Sequence, residues 1–174
     1  MPKDSLGIMS LADSKLWKTP RIKSFAIPEK SSDYLVYLKE SPIADSVSKK
    51  SAAVKKDIDY LFADEEPVNA KSKDGSDLVL RSLNSGTETT FKYVTDYVIS
   101  KNGLHLAFVS TGSKKDSVNK PGLYFYDIRQ QKLVKVSSGK GQYKNLAFDE
   151  TGGQLAFSSE KDPEKAIQKF YKLY

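Results

Sequence analysis

Apolar and polar positions alternate in short runs broken by Gly, Asn and Ser, a period of two that predicts strands rather than helices. In YVISKNGLHLAFVS, residues 97 to 110, Leu104, Leu106 and Phe108 fall on one face of a strand, with His105 and Ala107 on the other. The run returns without a gap as LAFDETGGQLAFSS, residues 146 to 159. Ile99 lies over Phe148, Gly103 over Gly152, Leu106 over Leu155, Ala107 over Ala156, Phe108 over Phe157 and Ser110 over Ser159. A third copy, FAIPEKSSDYLVYLKE at 25 to 40, sets Ile27, Leu35, Val36 and Tyr37 in these places, with one extra residue in the turn. Each copy is a hairpin. Asn102-Gly103 and Gly152-Gly153 tolerate positive φ and predict two-residue turns.

A second hairpin lies between these copies. PGLYFYDIRQQKLVKVSSG, residues 121 to 139, predicts a strand over Leu123 to Ile128, a polar turn and a strand over Leu133 to Val136. At 76 to 94, Leu78, Leu80 and Leu83 replace Leu123, Phe125 and Ile128. At 4 to 20, Leu6, Ile8, Leu11 and Leu16 fall over Leu123, Phe125, Ile128 and Leu133 at one constant offset.

The two hairpins alternate, giving four antiparallel strands per repeat of about 45 residues, the content of one β-propeller blade. The expected organisation is a partial β-propeller over 1–174: a half blade at 5–19, a blade at 22–93 interrupted by an insertion at 40–75, a blade at 97–137 and an incomplete blade at 144–174. A β-sandwich also alternates and turns on glycine, but it has no reason to repeat two distinct hairpins at matching offsets. About three blade equivalents fall short of the usual ring of four to eight. Either the end halves complete one another in a cramped three-bladed ring, or the sequence is a fragment of a longer protein; the fragment is expected.

The insertion is rich in Lys, Asp, Glu, Ser and Ala, a composition that predicts a solvated or disordered loop. Within it Val54, Ile58, Leu61 and Phe62 recur at helical spacing, so SAAVKKDIDYLF, residues 51 to 62, is a candidate short helix.

The formal charge of +6 changes little, because the lysines are scattered or stand beside acids, as Lys49, Lys50, Lys55 and Lys56 do beside Asp57 and Asp59. No nucleic-acid partner is expected. No run approaches the ~18 apolar residues of a membrane span, and MPKDSLGIMSLADSKLW lacks the apolar core of a secretory signal. With no cysteine, thiol catalysis and zinc ribbons are excluded.

Catalytic, metal and cofactor-binding residues are all expected to be none. His105 is the only imidazole, and its mid-strand place suits a surface or inter-blade residue better than a general base. Gly139-Lys140-Gly141 lacks the spacing and strand-to-helix setting of a phosphate loop and suits a link between blades. Asp127 suits a turn cap, and Tyr97, Phe108, Tyr124, Tyr126, Phe148 and Phe157 suit packing between blades.

VTDYVISKNGLHLAFVS, KNLAFDETGGQLAFSS and DLVLRSLNSGTETTF together resemble the N-terminal β-propeller of the prolyl oligopeptidase family of serine peptidases, in particular its bacterial dipeptidyl-aminopeptidase-like members. TolB-like and other WD-type propellers share the short motif. The resemblance implies a non-catalytic propeller that gates and positions peptide substrates for a C-terminal α/β-hydrolase domain, and a periplasmic or secreted setting. The G-x-S-x-G elbow belongs to that second domain and does not occur here, so no catalytic residue carries over. The competing expectation is a TolB-like or sensor-type propeller that binds another protein.

Overall fold

The computed structural model describes residues 4–40, 75–113, 116, 118–139, 141–161 and 170–174. The chain divides into one unit of 1–41 with 74–174 and a second of 42–73. The second unit and the candidate helix at 51–62 lie outside the described residues.

The first unit is all-β and antiparallel. Its strands are β1 (Ser5–Met9), β2 (Leu16–Pro20), β3 (Ile22–Ala26), β4 (Tyr34–Lys39), β5 (Ser76–Ser82) and β6 (Glu88–Ile99), followed by β7 (His105–Ser110), β8 (Gly122–Asp127), β9 (Lys132–Ser138), β10 (Gln142–Phe148), β11 (Leu155–Glu160) and β12 (Lys172–Leu173). They form sheets of order β1-β2, β3-β4-β5-β6-β7-β8-β9 and β10-β11-β12.

The seven-stranded sheet is two four-stranded blades sharing β6. The first part of β6 pairs with β5, Phe91 opposite Leu78, and its last part pairs with β7, Tyr97 opposite Phe108. Separate strands were expected to end at 93 and to restart at 97; the chain instead passes from outermost to innermost strand through Tyr93, at φ 59°, without leaving β structure. Positive φ also occurs where the other hairpins meet, at Arg21, φ 61°, between β2 and β3, and at Gly139, φ 110°, after the end of β9.

Other irregularities repeat in step. The innermost strands bulge between Ile22 and Ser24, between Val94 and Asp96, and between Lys144 and Ala147. The turns before each outermost strand carry positive φ at Ser14, Gly86 and Gln131. A bulge bends its strand and increases its twist, so the repeat is written in the backbone as well as in the apolar pattern.

The turns of the first-type hairpins are longer than the expected two residues. The Ser100 N–H donates to the His105 carbonyl and Gly103 N–H to the Ser100 carbonyl, both at 2.9 Å; Asp149, Gln154 and Gly152 repeat these bonds at 3.1 and 3.0 Å. In these turns Gly103 and Gly152 alone have positive φ. A loop built on an ordinary turn needs one left-handed residue to rejoin the ladder, where a two-residue turn of type I′ needs two.

Three cores lie between successive blades. β4 is buried on both faces: Val36 and Leu38 join Leu78, Leu80, Phe91, Leu106 and Phe108, while Leu35 and Tyr37 join Leu6, Ile22 and Val79. Val109 and Leu123 form the third core with Tyr143 and Phe157. Middle strands therefore read as nearly continuous apolar runs, and each fully buried Leu or Val contributes about 1.5–3 kcal/mol. The outer strand β9 leaves Leu133, Val134 and Val136 exposed.

Candidate functional site

Antiparallel order puts the turns 27–33, 100–104 and 149–154 at the same end of three successive innermost hairpins. They interlock. The Lys30 N–H donates to the Lys101 carbonyl at 2.8 Å, and Asn102 Nδ2 to the Thr151 carbonyl at 2.6 Å. Asn102 is itself set by Ser100 Oγ, which donates to its Oδ1 at 2.7 Å. A Cβ on Gly103 would stand 3.0 Å from Ser31 Cβ, and one on Gly152 3.0 Å from Ser100 Cβ. The glycines serve both the positive φ and the approach of one turn to the last.

Charges converge on this rim. Lys101 Nζ lies 3.1 Å from Glu29 and 2.9 Å from Glu150, and Lys30 Nζ lies 2.6 Å from Glu150. The last bond joins the turns on either side of the Lys101 turn. Hydrogen bonds from Lys30 and then Lys101 hold the Glu150 carboxylate down at about 2. The neighbouring Asp149 is also lowered to about 2, first by the Thr151 hydroxyl and then by the Gln154 amide. Glu150 is exposed and Asp149 half-buried, and in both the lowering by hydrogen bonds, with charge added at Glu150, outweighs the raising by burial. With Glu150 held ionised by two ammonium groups and Asp149 by hydroxyl and amide donors, these carboxylates bind turn to turn rather than stand ready to carry protons.

This network was missed from the sequence although its signal was there. Aligning the hairpins on Ile27, Ile99 and Phe148 puts Glu29, Lys101 and Glu150 in register, one position written acid, base, acid on adjacent turns. Tyr97 joins innermost strands lower down: its hydroxyl lies 3.1 Å from Ser24 Oγ, and burial raises its pKa against the lowering by that bond.

His105 opens β7 rather than lying mid-strand. Its Nδ1–H donates to the Gly152 carbonyl of the next blade at 2.7 Å, its ring lies 5.0 Å from Phe125, and Nε2 is 4.0 Å from Asp127 Oδ2. Asp127 Oδ1 accepts the Gln130 N–H at 2.8 Å, a turn cap. Phe108 and Tyr126 both pack on Phe91, and Phe157 on Tyr143. Gly139 and Gly141 lie in the link between β9 and β10. Among the described residues no three His, Asp or Glu stand together as metal ligands, and no helix is long and apolar enough to cross a membrane.

The fold is thus all-β, with antiparallel four-strand blades stacked in the manner of a propeller. No protein-family model matches the chain, and no curated protein matches it. Among solved structures it is similar to acylaminoacyl peptidase from Pyrococcus horikoshii, at 14% identity and a TM-score of 0.47, over 83% of this chain and 18% of that one. It is similar to an acylaminoacyl peptidase in complex with Z-Gly-Gly-Phe-chloromethyl ketone, at 15% and 0.48, over 83% and 19%. The β-propeller domain of the Trilobed protease from Pyrococcus furiosus, described as having an open velcro topology, gives 16% and 0.48, over 85% and 42%. The chain spans less than half the length of each.

Proposed function

We propose that this chain is a non-catalytic part of the propeller of a prolyl-oligopeptidase-like serine peptidase, where it restricts and positions peptide substrates for a C-terminal α/β-hydrolase domain. The observation that carries the non-catalytic reading is the employment of its only imidazole: His105 is spent on the Gly152 carbonyl and the Phe125 ring, between blades. The resemblance of VTDYVISKNGLHLAFVS and KNLAFDETGGQLAFSS to such propellers supports the peptidase setting.

Translating the encoding reading frame past residue 174 tests it. The expected result is further blades followed by G-x-S-x-G with an aspartate and a histidine after it. A frame with no hydrolase segment overturns the peptidase setting in favour of a protein-binding propeller, and peptide turnover by the purified 174-residue chain overturns its non-catalytic role.

A further inference from the structure

The junction of β9 with β10 and β11 gathers polar groups that the peptidase reading does not use. Lys161 Nζ donates to Ser137 Oγ at 2.6 Å. The Tyr143 hydroxyl lies 3.3 Å from Ser137 Oγ and 3.2 Å from the Ser138 carbonyl. Ser159, the cross-strand partner of Tyr143, is 2% exposed, and its hydroxyl has no hydrogen-bond partner among the described residues. Its repeat counterpart Ser110 is satisfied, donating to the Lys92 carbonyl and accepting the Gly112 N–H. The orphan hydroxyl is therefore a property of this junction and not of the repeat. A buried hydroxyl without a partner is costly, and a bound group would recover that cost.

Gly139, in the adjoining link, is exposed, and a Cβ built on it meets nothing within 4 Å. The junction's chemistry is that of donors. Three hydroxyls accompany one ammonium, whose hydrogen-bond partner among the described residues is Ser137 rather than a carboxylate. Strand alternation turns the adjacent Glu160 to the other face from Ser159. We propose that this junction binds a small phosphate-type oxyanion, with Lys161 Nζ, Ser137 Oγ and Tyr143 OH on its oxygens and the Ser159 hydroxyl reached directly or through one water. It is a side-chain site on a blade-to-blade link, unlike a phosphate loop at a helix start, and it does not depend on the peptidase reading.

The test is a titration of the isotope-labelled 174-residue chain with inorganic phosphate, followed by amide resonances, against chloride at equal ionic strength. The expected result is saturable shifts at Ser137, Ser138, Tyr143, Ser159 and Lys161. Loss of a hydrogen bond to a charged ligand predicts about tenfold or more weaker binding in Lys161→Gln, with Lys161→Arg retaining it. Lys161 is exposed, so the variant's fold is spared, and Ser137→Ala serves as a second variant with the same expectation. Shifts that are absent, that do not saturate, or that persist unchanged in both Lys161→Gln and Ser137→Ala overturn the site.

Discussion

At the scale of residues, the turn glycines carry the closest contacts between blades. Gly152 combines φ 76° with a neighbouring turn 3.0 Å from its would-be Cβ, so Gly152→Ala meets both backbone strain and a clash. Equilibrium denaturation is expected to show a loss of about 1–3 kcal/mol. Gln131 is the reverse case: it is exposed and held at φ 51°, where Gly86 stands in the preceding blade. Gln131→Gly is expected to leave stability unchanged or to raise it by up to about 1 kcal/mol in the same measurement. The rim carboxylates set an acid limit. Glu150 is depressed from 4.5 to about 2, so its stabilisation is fully present above the upper value and is lost as pH falls through the lower one. Melting temperature followed from pH 6 to pH 2 is therefore expected to fall less steeply in Glu150→Gln than in the parent chain, and parallel curves would remove the carboxylate from the account.

At the scale of elements, the apolar alternation made the hairpins legible, because strands buried on two faces must write an apolar residue at nearly every position. LVYL in β4 and LAFV in β7 are such runs. Leu106 is fully buried where β7 meets the preceding blade, and Leu106→Ala is expected to cost about 2–5 kcal/mol, against a small effect for Val134→Ala on exposed β9. Connections were less legible than strands. Asn102-Gly103 reads as a two-residue turn, yet the hydrogen bonds from Ser100 and Gly103 close a longer loop, since only one residue there takes positive φ. Nothing in Tyr93 announces a left-handed residue; that geometry is imposed by blades on both sides pulling β6 into two ladders. The rim's ion pairs were visible only after hairpins were laid in register, because Glu29, Lys101 and Glu150 are unremarkable turn residues when taken singly.

At the scale of the whole molecule, stability is laid out as successive interfaces rather than as one core. Each middle strand contributes alternate side chains to two of them, so β4, β5, β7 and β8 are anchored twice, while β2 and β9 stand at outer edges. The oxyanion junction that we propose lies on the third of these interfaces, beside Tyr143. Amide hydrogen exchange of the native chain measures this layered arrangement strand by strand. The slowest exchange is expected in β4, β5, β7 and β8 and markedly faster exchange in β9 and β2, since protection follows burial and ladder bonds on both sides. Protection of β9 equal to that of β7 would contradict it, because it would mean that the outer edge is covered and that the blades do not end where the structure ends them.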